Sequence, residues 1–140
     1  MTPPKMVWDC SVSIAMAFED ERDDYIQRVF HTVSLEGALV PTHWPMEMVN
    51  GLRMAERRKR IESADSRKHL ALVATFPIQI DGSIATVQNM LELYESSETY
   101  KLTSYDAAYL RLAQTSGLPL ASKDDDLKAA ALKAGVNLFA

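Results

Sequence analysis

The stretch LTSYDAAYLRLAQTSGLPLASKDDDL, residues 102–127, reads as a helix, a short strand and the opening of another helix. Thr103 or Ser104 can cap the first helix, and Gly117 stops it. LPLAS is a brief apolar run that reads as a short strand. DDLKAAALKAG then starts a final helix, and VNLF is expected as a closing strand. A helix delivering the chain to a short apolar strand, followed at once by another helix, is the repeat of a parallel α/β sheet. The stretch also gathers acids at element ends, Asp106 in a first turn and Asp124, Asp125 and Asp126 after the strand. Like charges repel, so this placement asks for a chemical reason.

Working outward, the same rhythm covers the chain. KMVWD is an apolar strand that stops at Asp9, and SVSIAMAFEDE follows with helical spacing and Ser11 as its expected N-cap. DDYIQRVFHTVSLEG is a helix with Tyr25, Ile26, Val29, Phe30 and Val33 on one side and Gly37 at its end. ALVPTHW is a second strand, broken by Pro41. From Pro45, PMEMVNGLRMAERRKR is a helix with proline in its first turn. SADSRKHLALVATF is another helix, ended by Pro77, and IQID is strand-like. GSIATVQNMLELYESS is expected as a helix with Ile84, Val87 and Leu91 inward. The predicted fold class is α/β, with short, mostly parallel strands flanked by helices on both faces, as one domain over residues 1–140.

Composition is that of a globular protein: 47% hydrophobic, 24% charged, with five glycines and six prolines. A formal net charge of −4 excludes a histone-like basic binder while leaving room for a local basic patch. The single cysteine, Cys10, excludes an internal disulfide framework and reads as a small buried hydrophobe. No stretch reaches the length of a secretory core or a membrane span, so the expectation is a soluble cytoplasmic protein.

In an open parallel sheet, ligands bind beyond the carboxyl ends of the strands. Asp9 closes the first strand and Asp124 follows the late one, so both fall on that edge. Asp106 and Glu47 each lie in the first turn of a helix, and Asn50, three residues after Glu47, shares its face. Four gathered carboxylates are costly alone, because two unit charges about 4 Å apart repel by roughly 4 kcal/mol at a surface-like dielectric. A hard divalent cation removes that cost. Oxygen donors without histidine or cysteine suit Mg²⁺ or Mn²⁺ rather than zinc, and the chief chemistry of such water-rich sites is phosphoryl transfer.

The segments VWDCSVSIA, PTHWPMEMVNGL and LTSYDAAYLRLAQTSGLPLASKDDDLKAAALKAGV resemble, in order and spacing, PIN-domain ribonucleases, in particular the VapC toxins of type II toxin–antitoxin pairs. The resemblance implies a three-layer PIN-like fold and an endoribonuclease dependent on Mg²⁺ or Mn²⁺. By matching position it implies Asp9, Glu47, Asp106 and Asp124 as metal-binding catalytic acids. It further implies Ser11 and Ser122 as hydroxyls lining the site and Asn50 as support for Glu47. The run of three aspartates leaves open whether Asp126 joins Asp124. A structured RNA such as a tRNA is the implied substrate, a small antitoxin the implied partner, and a homodimer the implied assembly.

Basic residues cluster in RMAERRKR, just beyond Glu47, and Arg57 and Arg60 are the expected contacts to RNA or antitoxin. His31, His43 and His69 lack the spacing of mutual ligands, and the methionines Met46, Met48, Met54 and Met90 read as core or dimer surface. Two other functions are compatible with an aspartate after the first strand. An aspartate-nucleophile phosphatase would need a second acid where Ser11 stands. A non-catalytic module would use the acidic edge for docking RNA or protein.

Overall fold

The computed structural model of the chain describes residues 3–140. Among these, seven α-helices surround one four-stranded sheet. The strands are β1 (Val7–Trp8), β2 (Ala38–Pro41), β3 (Ile78–Asp81) and β4 (Leu120–Ala121), in the order β3-β2-β1-β4 and all parallel. The helices are α1 (Cys10–Ala15), α2 (Asp24–Glu36), α3 (Trp44–Arg57), α4 (Ser63–Val73), α5 (Met90–Tyr100), α6 (Ser104–Ser116) and α7 (Asp125–Lys133).

Parallel pairing decides where the strand ends fall. Trp8 lies opposite Ala121, so Asp9 and Ser122, each one residue further, leave the sheet side by side. The backbone N–H of Asp9 completes that register by donating to the Ala121 carbonyl at 3.0 Å. Neighbouring residues of a strand face opposite ways. Trp8 enters an aromatic layer with Phe30 of α2, Trp44 of α3 and Phe76. On α6, residues Ala107 to Leu110 are all buried, as expected of a helix laid across the sheet, and α5 and α7 lie beside it. α1 packs closely on α3 at Gly51, where an added Cβ would stand 2.6 Å from Cδ1 of Ile14 and that side-chain end would have to move.

Three expectations are corrected. Ser11 is not the cap of α1: Asp9 holds the N-cap position, and Ser11 lies inside the first turn with its hydroxyl turned back to Asp9. The helix expected from Gly82 begins only at Met90, after a 3₁₀ turn over Val87–Asn89. There Asp81 accepts from the Ser83 N–H and hydroxyl, Thr86 from the Asn89 N–H, and the Asn89 amide donates to the Ser83 and Ile84 carbonyls. These local bonds outcompete a helical turn. Ile84 is buried as expected, but Val87 and Leu91 are 74% and 67% exposed. Finally, residues 136–139 form no full strand; they join the sheet edge through one bridge, Leu120 to Leu138. Of the four methionines read above as core or dimer surface, Met48 is core, whereas Met46, Met54 and Met90 face outward. No helix among the described residues is long and apolar enough to cross a membrane.

Candidate active site

Asp9 is buried at the carboxyl end of β1. Its Oδ2 atom accepts the hydroxyls of Ser11 and Ser122, both at 2.7 Å. Ser11 reaches it because α1 starts immediately after β1, and Ser122 because β4 runs alongside. The same hydroxyls accept in turn, Ser11 from the Lys123 N–H and Ser122 from the Asp124 N–H, both at 3.0 Å. A lattice of short bonds thus locks the β1–α1 and β4–α7 turns together. Burial raises the pKa of Asp9, the two hydroxyls pull it down, and Asp124 pushes it up; the net direction is upward.

Asp106 sits in the first turn of α6, whose N-cap Thr103 accepts from its N–H at 3.2 Å. Its carboxyl is half-buried, and burial together with the charges of Asp9, Asp124, Glu47 and Asp126 raises its pKa to about 7. Asp106 thus feels the charges of Asp9, Asp124 and Glu47, and Asp126 adds a smaller repulsion from the first turn of α7. Asp124 is the N-cap of α7, and its Oδ1 accepts from the Leu127 N–H at 2.9 Å.

Glu47 projects from the first turn of α3 and has two neighbours that spacing alone did not reveal. The Tyr109 hydroxyl, buried on α6, donates to its Oε1 at 2.6 Å. The Nε2 atom of His43 lies 3.3 Å from the same oxygen but off the line of a hydrogen bond, so it has no aligned partner among the described residues. Burial lowers the pKa of His43, which makes that contact one with a neutral ring rather than an ion pair. Glu47 is raised by burial, lowered by Tyr109 and raised again by Asp9, with a net upward shift. Signals for both neighbours existed: Tyr109 follows Asp106 by one helical turn, and His43 precedes Glu47 by one. Asn50 is exposed and makes no hydrogen bond to Glu47 among the described residues.

A cavity of about 420 Å³ opens beside the acids, bounded by Ser11, Asp124, Arg58, Arg60 and Lys123. Arg60 reaches it, but its guanidinium is engaged with Glu21 at 3.0 Å and Asp20 at 3.2 Å. Arg57 is exposed on the last turn of α3 and does not line the cavity, whereas its neighbour Arg58 does. The thiol of Cys10 is buried, and burial with Glu47 and Asp9 nearby pushes its pKa up, which disables it as a nucleophile.

Among the described residues, no three His, Cys, Asp or Glu side chains are close enough to form a ready-made metal cage. Mg²⁺ does not require one, since it keeps several waters and takes as few as one or two carboxylates directly. The donor chemistry fits such an ion: every acid of the group offers hard oxygen, and every charge that shifts Asp106 is negative. A cation is what the electrostatics call for.

A family model described as PIN domain matches residues 6–133. The chain belongs to the PIN-domain family. PIN domains are generally nucleases and typically use divalent metals. The fold of this PIN chain is similar to the crystal structure of PAE2754 from Pyrobaculum aerophilum, with a TM-score of 0.66 and 25% identity over 91% of this chain and 79% of that one. Comparison with curated protein sequences returned no match.

Proposed function

We propose that this PIN chain is an endoribonuclease dependent on Mg²⁺ or Mn²⁺ and that it acts as the VapC-type toxin of a toxin–antitoxin pair. One observation carries the enzymatic part: Asp106 is raised to about 7 by burial and by a surrounding set of acids. A cation beside such a group favours its ionised form and offsets the repulsion among the acids. Asp9, Asp106, Asp124 and Glu47 would hold that ion. When bound, it would lower the pKa of a coordinated water and withdraw charge from the phosphoryl group.

The chain's own residues have separable tasks. Ser11 and Ser122 fix Oδ2 of Asp9, so the carboxylate keeps one orientation. Tyr109 orients Glu47 in the same manner. Asp106 and Asp124, both partly exposed, would steer a water beside that ion. The aspartate-nucleophile phosphatase finds no support here, because the chain belongs to the PIN family and Ser11 is occupied as a donor to Asp9. A cognate antitoxin and a homodimer complete the reading; the resemblance of the sequence to VapC toxins supports them.

The test is incubation of the purified chain with a mixed RNA pool in Mg²⁺, Mn²⁺ or EDTA, beside Asp106→Asn. Cleavage is expected with either metal, none in EDTA, and a loss on the order of a thousandfold in the variant, the scale of several kcal/mol of charge stabilisation. Intact RNA in all metal conditions, or an undiminished variant, would refute the enzymatic reading. Growth arrest on expression, relieved by a co-expressed small neighbouring gene product, is the corresponding result for the toxin role.

A further inference from the structure

Glu21, on the 3₁₀ turn Glu19–Glu21, is gripped from both sides. Lys123 Nζ lies 2.9 Å from its Oε1, and Arg60 reaches its Oε2 at 3.0 Å. Two cations, one on each oxygen of a single anion, form an oxyanion-binding pair that an internal side chain already fills. Both cations line the cavity that also contains Asp124 and Ser11, and Arg58 lines it as well, with no ion pair of its own among the described residues. The cavity therefore carries three cations against two carboxylates, Glu21 and Asp124.

Arg60 and Lys123 each have a further contact besides Glu21, and Arg60 also pairs with Asp20 at 3.2 Å. The Arg60 guanidinium stands 4.3 Å from the centroid of the Phe18 ring, a cation–π contact that survives if the carboxylate leaves. Lys123 is tied at its backbone, where its N–H donates at 3.0 Å to the Ser11 hydroxyl that itself binds Asp9. The backbone of Lys123 is thus tied to the hydroxyl that binds Asp9, which keeps this side chain beside the acidic cluster. Phosphate resembles a carboxylate in charge and in offering several oxygens, so it can take the same two donors.

We propose that the cavity bounded by Arg58, Arg60 and Lys123 binds a backbone phosphate of single-stranded RNA next to the acidic cluster, and that Glu21 occupies Arg60 and Lys123 until RNA displaces it. This rests on RNA being the substrate, as in the nuclease reading, and specifies how the strand is held there. Glu21 is a competitor for the site, so its removal strengthens binding.

The experiment measures anisotropy of a labelled single-stranded RNA of mixed sequence with the full chain in EDTA, across a range of salt. Glu21→Gln is expected to bind about three- to tenfold tighter at low salt, since it frees Lys123 and leaves Arg60 with only the exposed Asp20 as a competing carboxylate. Lys123→Ala and Arg60→Ala are expected to bind more weakly, each with a salt slope shallower by about 0.7. Glu36→Gln is the control for net charge, because Glu36 pairs with Lys5, whose ammonium lies 3.6 Å away and does not line the cavity. It is expected to bind like the parent chain. The proposal is overturned if Glu36→Gln gains as much as Glu21→Gln, or if Lys123→Ala and Arg60→Ala match the parent. Thermal melts of each variant identify any that misfold, and the alanine variants decide the matter if Glu21→Gln is one. Cleavage in Mn²⁺ separates the two readings: RNA cut normally by variants with parental affinity sinks the phosphate site alone. RNA bound as expected but never cut sinks the nuclease and leaves the phosphate site standing.

Discussion

Asp9 and Asp106 are both aspartates displaced toward the protonated form, yet the two ends of the cleft treat them differently. At the β1–β4 edge, Asp9 is buried and receives two hydroxyl donors on one oxygen. At the start of α6, Asp106 is half-buried and feels desolvation and like charges, with no side-chain donor turned toward it among the described residues. The first environment fixes a carboxylate in space. The second leaves one in want of a counter-charge. A rigid acid beside an uncompensated one is an arrangement in which protein bonds set the geometry and an added cation sets the charge.

The contrast can be broken most forcefully at Ser122. Ser122→Ala removes a donor from the buried Asp9 and an acceptor from the Asp124 N–H. Hydrogen bonds to charged groups are worth roughly 1.5–3 kcal/mol, and urea unfolding should show a loss of about that size. A smaller loss would mean that Asp9 is not held as tightly as its neighbours indicate.

Asp106→Asn should act in the opposite sense. The folded pKa of Asp106, about 7, lies above its unfolded value of 3.8. A raised acid stabilises the fold fully below the unfolded value and loses that contribution as pH climbs through the folded one. The metal-free variant should therefore be more stable than the parent at pH 8 and equal to it near pH 3. A gain of about 1–2 kcal/mol is expected, well under what the full shift would supply, because a half-exposed carboxylate is screened by solvent. Mg²⁺ should raise the melting temperature of the parent more than that of the variant. Equal melting temperatures at pH 8 without metal would remove the distinction between the two aspartates.

Tyr109→Phe sharpens the comparison by the smallest step. It deletes one hydroxyl from a buried ring and leaves Glu47 short of a donor. About 1 kcal/mol of stability should go. RNA cleavage should fall through kcat while KM stays constant, if the hydroxyl serves to aim Glu47.

Much of this was legible in the chain itself, for identifiable reasons. Strands β1, β2 and β4 are short apolar runs and β3 alternates as IQID, while α2, α3, α6 and α7 combine 3.6-residue periodicity with caps or stops at their ends. Asp9 and Asp124 could be placed on one edge because a parallel sheet sends every strand's end the same way, whereas α6 follows α5 rather than a strand, so that rule did not reach Asp106. What stayed hidden depended on side chains meeting across the fold. The helix expected from Gly82 failed because Asp81, Thr86 and Asn89 spend their polar groups on nearby backbone. Residues such as Val87 and Leu91 carry a helical pattern there without a core to face. The bond from Tyr109 to Glu47 spans 62 positions and the grip of Lys123 on Glu21 spans 102, distances at which periodicity is silent.

Asp124 carries one more implication. One of its oxygens already secures the first turn of α7 by accepting from Leu127. An ion drawing on that carboxylate would tug at the fastening of the terminal helix, so cleft loading and amide-exchange rates along residues 125–133 should be linked. A side chain shared in this way turns a local binding event into a tension felt at the far end of the polypeptide.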